Sequence, residues 1–99
     1  MILNFKARTK KKFTLTLEDD RTLVFNPPKK KSMDILASLT EESTMSDIYE
    51  IVAKLLSENL AGIKFTAKEV DSMWDLEDVT AFISAYRDFL GEIQDTTKN

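Results

Sequence analysis

This 99-residue sequence predicts an α+β fold that is mostly helical, an N-terminal β-hairpin followed by a small bundle of three to four helices. Three observations lead there. In "FTLTLEDDRTLVF", residues 13–25, apolar and polar side chains alternate with period two on either side of an acidic turn and include the β-favouring Thr, Phe and Val, as in a half-buried strand pair. Pro27 and Pro28 then close off any strand or helix. Beyond them there is no proline, and apolar residues recur at helical spacing to the end.

The hairpin puts Phe13, Leu15 and Leu17 on one face, with residues 22–26 as the return strand. A two-residue turn at Asp19–Asp20 would pair Leu15 with Val24. A three-residue loop at Asp19–Asp20–Arg21 pairs Leu17 with Leu23 and Leu15 with Phe25, and is preferred because it gathers large apolar groups on one face. Ile2, Leu3 and Phe5 offer another short strand. A first short helix is expected from "SMDILASL", with Ser32 as N-cap and Ile35, Leu36 and Leu39 on one side. "TMSDIYEIVAKLLSENLAG" reads as the long central helix, opened by Thr44 and Asp47 at capping spacing and closed by Gly62. Its apolar residues cover an arc of about 180°, more than the roughly 100° of a surface helix, so it should have neighbours on two sides.

Thr66 and Glu69 make a T-x-x-E capping box, with Phe65 and Val70 as the hydrophobic staple around it. A helical turn or two should follow, through Met73 and Trp74. Asp75 and Asp78 repeat the capping spacing and open the last helix, about Leu76 to Ile93. There Leu76, Val79, Ile83, Tyr86, Leu90 and Ile93 step by three and four like a heptad seam, flanked by Phe82 and Phe89. Residues 1–99 are thus expected to form a single domain, with a hairpin region at 1–27, a helical region at 32–93 and a flexible tail at 94–99.

Composition narrows the chemistry. The chain has no cysteine and no histidine, which removes disulfides, thiolate metal sites and the usual neutral-pH general base. No phosphate-binding glycine loop is present. Serines and threonines lack a marked-out activating base. Asp71, Asp75, Glu77 and Asp78 lack the alternation and central glycine of a calcium loop, and two of them have the helix-capping role. No enzyme, cofactor or metal is therefore expected. No apolar run is long enough to span a bilayer, and the charge order of the N-terminus is not that of a signal peptide, so no membrane is expected and the chain reads as cytosolic. Charge is uneven: residues 1–31 hold nine Lys/Arg against three Asp/Glu, and residues 32–99 hold five against fourteen. Complementary ends of this kind suit self-association or a charged partner. The lysine triplets 10–12 and 29–31 could touch phosphates, but the net charge of −3 and the lack of a reading motif argue against nucleic acid.

The two broad apolar helical faces and the hairpin face exceed what four short elements can bury in one small monomer. Phe65, Trp74, Leu76, Phe82, Tyr86, Phe89 and Ile93 are accordingly the expected surface for a partner or for a second copy, set against the alternative that such a stripe is simply core.

The stretch "LLSENLAGIKFTAKEVDSMWDLEDVTAFISAYRDFLGEI" resembles the tail assembly chaperones of siphophages of Gram-positive hosts, the lactococcal phages in particular. The shared pattern is Asn59, Gly62, Lys64, Phe65 and Thr66, then Trp74 to Asp78, then Ala85, Tyr86 and Phe89. It covers about the last half of the chain, and the hairpin-then-lysine opening is similar in a less specific way. The resemblance implies a non-enzymatic chaperone that binds the hydrophobic, helical tape measure protein and keeps it soluble while tail tube subunits assemble around it. It implies the major tail protein as a further partner, homo-oligomers, action in the host cell cytoplasm and absence from the mature virion. Two other readings remain open at the level of sequence: a small nucleic-acid-binding regulator using the basic N-terminal third, and a permanent structural component of the tail.

Overall fold

A computed structural model describes residues 2–6 and 10–97 and bears out the expected class. A two-stranded antiparallel sheet, β1 (Phe13–Thr16) and β2 (Thr22–Phe25), leads into four helices: α1 (Lys30–Ala37), α2 (Met45–Leu56), α3 (Ala67–Met73) and α4 (Leu76–Thr97).

The hairpin register differs from the expected one by two residues. Leu15 faces Leu23 and Phe13 faces Phe25. The loop is again three residues long, but it is Glu18–Asp19–Asp20. It is closed by Asp20 N–H to the Leu17 carbonyl at 3.0 Å and Leu17 N–H to the Arg21 carbonyl at 2.8 Å. The reason lies in one backbone conformation. The third loop position is left-handed, and Asp20 occupies it with φ 70°. Asp tolerates this region better than Arg, which the other loop would have placed there. The shift moves each pairing by two residues in total, so the same side chains still face inward. Ile2, Leu3 and Phe5 form no strand; they are exposed, and residues 5–6 make a turn.

Helix α1 begins two residues before Ser32, with Lys29 in the extended N-cap position and no side-chain cap. Ser32 is instead buried, and its hydroxyl donates to Glu58 Oε1 at 3.3 Å. Thr44 and Asp47 form both halves of a capping box on α2, as do Thr66 and Glu69 on α3. Asp75 and Asp78 exchange the same two bonds at the start of α4, at 2.9 and 3.1 Å.

Helix α2 is central, lying against α1, α3 and α4. It stops at Leu56 rather than continuing toward Gly62. Two side chains supply the stop. Ser57 Oγ donates to the Ala53 carbonyl and accepts from Phe65 N–H. Asn59 is buried, donates to the carbonyls of Leu56 and Ile63 and accepts from Ile63 N–H. Such local bonds offer the backbone an alternative to further helix. Gly62 serves the loop beyond, with φ +74°. Leu60 donates its N–H to the Val24 carbonyl at 2.8 Å, so this loop covers the outer edge of β2.

The core is continuous from hairpin to last helix: Leu17, Leu23, Phe25, Leu36, Ile51, Val52, Leu55, Leu56, Phe65, Val70, Val79, Phe82 and Tyr86 belong to one buried cluster. Phe13 joins the two halves. Its ring lies 5.7 Å from Phe25, 6.2 Å from Phe82, 6.0 Å from Tyr86 and 5.5 Å from Phe89. The row that α4 buries is therefore Val79, Phe82, Tyr86 and Phe89. Ile83, Leu90 and Ile93 of the expected seam are half-exposed. Residues 94–97 of the expected tail continue α4, with no proline to stop it. At the hairpin tip, the Arg21 guanidinium sits over the Phe65 ring, 5.8 Å from its centre. The radius of gyration is 14.7 Å, against about 13 Å for a compact chain of this length.

Candidate interaction surface

Seven residues were candidates for an interface, and the fold divides them. Phe65, Phe82, Tyr86 and Phe89 are buried within the chain itself. Of these, Phe82, Tyr86 and Phe89 form an aromatic chain with Phe13 and Trp74, with neighbouring ring centres 5.5 to 6.3 Å apart. Such rings gain from tilted and edge contacts beyond the area they bury. Because they are already enclosed, none of these four offers free surface without opening the core. Leu76 is 52% exposed, and Trp74 and Ile93 are half-exposed.

Leu76 does not stand alone. Two shallow clefts adjoin at the corner where α2 begins and α3 passes into α4. One is lined by Met45, Tyr49, Glu50, Ala67, Lys68 and Asp71. The other is lined by Glu18, Tyr49, Asp71, Met73, Trp74, Leu76 and Asp78. Tyr49 and Asp71 belong to both, so Met45, Tyr49, Met73, Trp74 and Leu76 mark one strip of apolar side chains across three helix ends, in a surface that is mostly apolar beside Met45 and mostly polar beside Leu76. Met45 is 48% exposed.

The strip is held rigidly for local reasons. Tyr49 donates its hydroxyl to the Trp74 carbonyl at 3.3 Å, tying α2 to the α3–α4 corner. Trp74 is extended, with φ −129° and ψ 138°, and its N–H is bonded to the Val70 carbonyl, which ends α3 and turns the chain outward. The Trp74 ring rests 5.6 Å from Phe82, so one side anchors in the core while the residue stays half-exposed. The Asp75–Asp78 box then starts α4 and leaves Leu76 at its first position, facing out.

Acidic groups border this strip: Glu18, Glu50, Asp71, Asp75 and Asp78, with Lys68 at one side. An apolar strip with such a rim suits an amphipathic segment whose apolar side chains are flanked by lysine or arginine. Among the described residues, no group of three or more acidic residues is placed to hold a metal ion, and no helix is long and apolar enough to cross a membrane.

Of the apolar arc of α2, Met45 is the residue that the periodicity predicts as inward and the fold leaves exposed. Tyr49 and Met73 pack half-buried against the core, with part of each reaching the clefts. The available signal was position: Met45 is the first residue after the Thr44 cap, where a helix end leaves the core. Comparison with protein-family models, curated proteins and solved structures finds no match to this chain.

Proposed function

We propose that this chain is a siphophage tail assembly chaperone, a non-enzymatic holdase that binds helical, apolar segments of the tape measure protein in the host cytoplasm before the tail tube closes around them. The observation that carries this reading is the strip Met45–Tyr49–Met73–Trp74–Leu76, exposed at Met45 and Leu76 and half-buried between them, at the ends of three helices. A holdase needs apolar surface that is already ordered, because ordering it at each encounter would cost affinity. Many modest contacts along one long client would add up through avidity.

Of the residues that carry the family resemblance, Trp74 to Asp78 lie at or beside this corner, and the others hold the fold elsewhere. Asn59 pins the loop after α2, Gly62 takes its positive φ, Phe65 enters the core and Thr66 caps α3. Trp74 to Asp78 form the edge of the strip and the cap of α4. Tyr86 and Phe89 hold α4 in place from within.

Co-expression with the tape measure protein tests the proposal. The wild-type chain should keep the client soluble and co-purify with it. Leu76→Asp and Met45→Asp, both at exposed sites, should lose the client while melting within a few degrees of wild type. Client that stays insoluble beside the wild-type chain, or binds both variants as well as wild type, would contradict the reading.

A further inference from the structure

Among the described residues, the outer edge of β1 is open. Leu17 N–H bonds the Arg21 carbonyl, and this sets the phase of the ladder: residues 13, 15 and 17 direct their backbone groups toward β2, while Thr14 and Thr16 direct theirs away from it. On the opposite side of the sheet, Leu60 covers β2. Thr14 and Thr16 have no backbone partner on the outer side of β1 among the described residues. Phe13 and Leu15, on the core-facing side of this edge, are only half-buried. An edge of this kind accepts another strand.

We infer that β1 pairs antiparallel with β1 of a second copy, about a two-fold axis at Leu15, to make a four-stranded sheet. The charges on either side of the strand select this occupant. The order is Lys10–Lys11–Lys12, then Phe13 to Thr16, then Leu17, then Glu18–Asp19–Asp20. Antiparallel self-pairing about Leu15 lays the lysine triplet of each copy beside the acidic turn of the other, with Lys12 beside Glu18. A parallel, in-register pairing would set lysine against lysine and acid against acid, which is destabilising. Lysines beside an edge strand commonly discourage pairing; here they discourage every arrangement that lacks a matching acidic turn. In the two-fold register Thr14 of each copy faces Thr16 of the other, and each such pair exchanges two backbone bonds. Leu15 meets Leu15 of the second copy, adding cover to a half-buried side chain. A register shifted by two residues would leave one threonine of each copy unpaired. The inference does not depend on the chaperone role.

The chain has no cysteine, so introduced ones report position cleanly. Facing residues of a bonded antiparallel pair lie with Cα atoms about 5.5 Å apart, within disulfide range. Thr14→Cys mixed with Thr16→Cys under mild oxidation should give covalent dimer several-fold faster than either variant alone, since like positions fall about 8 Å apart, beyond that range. Wild type should show twice the chain mass by light scattering. Thr14→Pro should lose the doubled mass yet keep its melting temperature, because the amide it removes faces away from β2. Lys10, Lys11 and Lys12 all changed to Glu should also lose it. Mixing that variant with one carrying Glu18, Asp19 and Asp20 changed to Lys should restore it. A wild-type mass that stays monomeric at every concentration would overturn the inference. So would a dimer that crosslinks no faster through 14 with 16 than through a Thr22→Cys control, or one that crosslinks preferentially through residues 2–5.

Discussion

Asp20 carries the hairpin turn in a conformation that costs an L-residue about 1–2 kcal/mol when left-handed, less for Asp than for most. Glycine adopts the same angles freely. Asp20→Gly is therefore expected to stabilise the fold by about 0.5–1 kcal/mol in urea unfolding, the reverse of a usual glycine substitution. Asp19, one residue earlier, accepts from the Arg21 backbone N–H and from its Nε, and these bonds hold its carboxyl below the usual range. In the core, burial and then the nearby Glu58 push the Tyr86 hydroxyl up from 10.0 to about 12. The folded chain keeps the proton longer than the unfolded chain, so the unfolded state ionises first. Stability contributed by the neutral ring is complete below pH 10 and is lost as pH rises from there toward 12. Melting curves across this range should show wild type falling more steeply than Tyr86→Phe. At this scale the caps were legible in the sequence, because capping is a local exchange of bonds between neighbours in the chain. The left-handed residue was not, since the acidic pair at 19–20 leaves two loops of equal length available.

Helix starts were read correctly wherever a side chain caps them: Thr44, Thr66 and Asp75. Thr66→Ala removes an acceptor for Glu69 N–H and is expected to cost about 1 kcal/mol, measured by urea unfolding. Helix ends and faces were less legible. The end of α2 depends on Asn59 and Ser57 reaching Ile63 and Phe65, which are later in the chain and bring their own backbone groups to the bargain of competing bonds. The face of α4 depends on what covers it. Periodicity predicts 79–83–86–90 as the seam with 82 and 89 at its flank, whereas the fold buries 79–82–86–89 and leaves 83 and 90 half-exposed. Phe13 makes that choice from the hairpin, against the rings of Phe82, Tyr86 and Phe89. The start of α1 was missed for a related reason: Ser32 has cap chemistry but spends it on Glu58, 26 residues away.

For the molecule as a whole, the apolar surplus expected from sequence is largely resolved inward. Hairpin and last helix each presented an apolar face, and each is the cover for the other. Phe13→Ala should therefore cost about 2–3 kcal/mol, somewhat less than a fully enclosed Phe, and more than Phe5→Ala at an exposed site. What stays outside is specific: Met45 and Leu76 at one corner, Leu60 at another, Met33 on α1, and Ile2, Leu3 and Phe5 near the N-terminus. The functional claim rests on the corner with Met45, Tyr49, Trp74 and Leu76, and not on the aromatic row beneath it. Amide hydrogen exchange of the chain, free and bound to its client, separates these directly. Binding at the corner should slow exchange at residues 45–49 and 72–78, while residues 82–89 exchange as slowly as before. Faster exchange at 82–89 on binding, with no added protection at the corner, would show that the client opens the core instead, and would contradict the account.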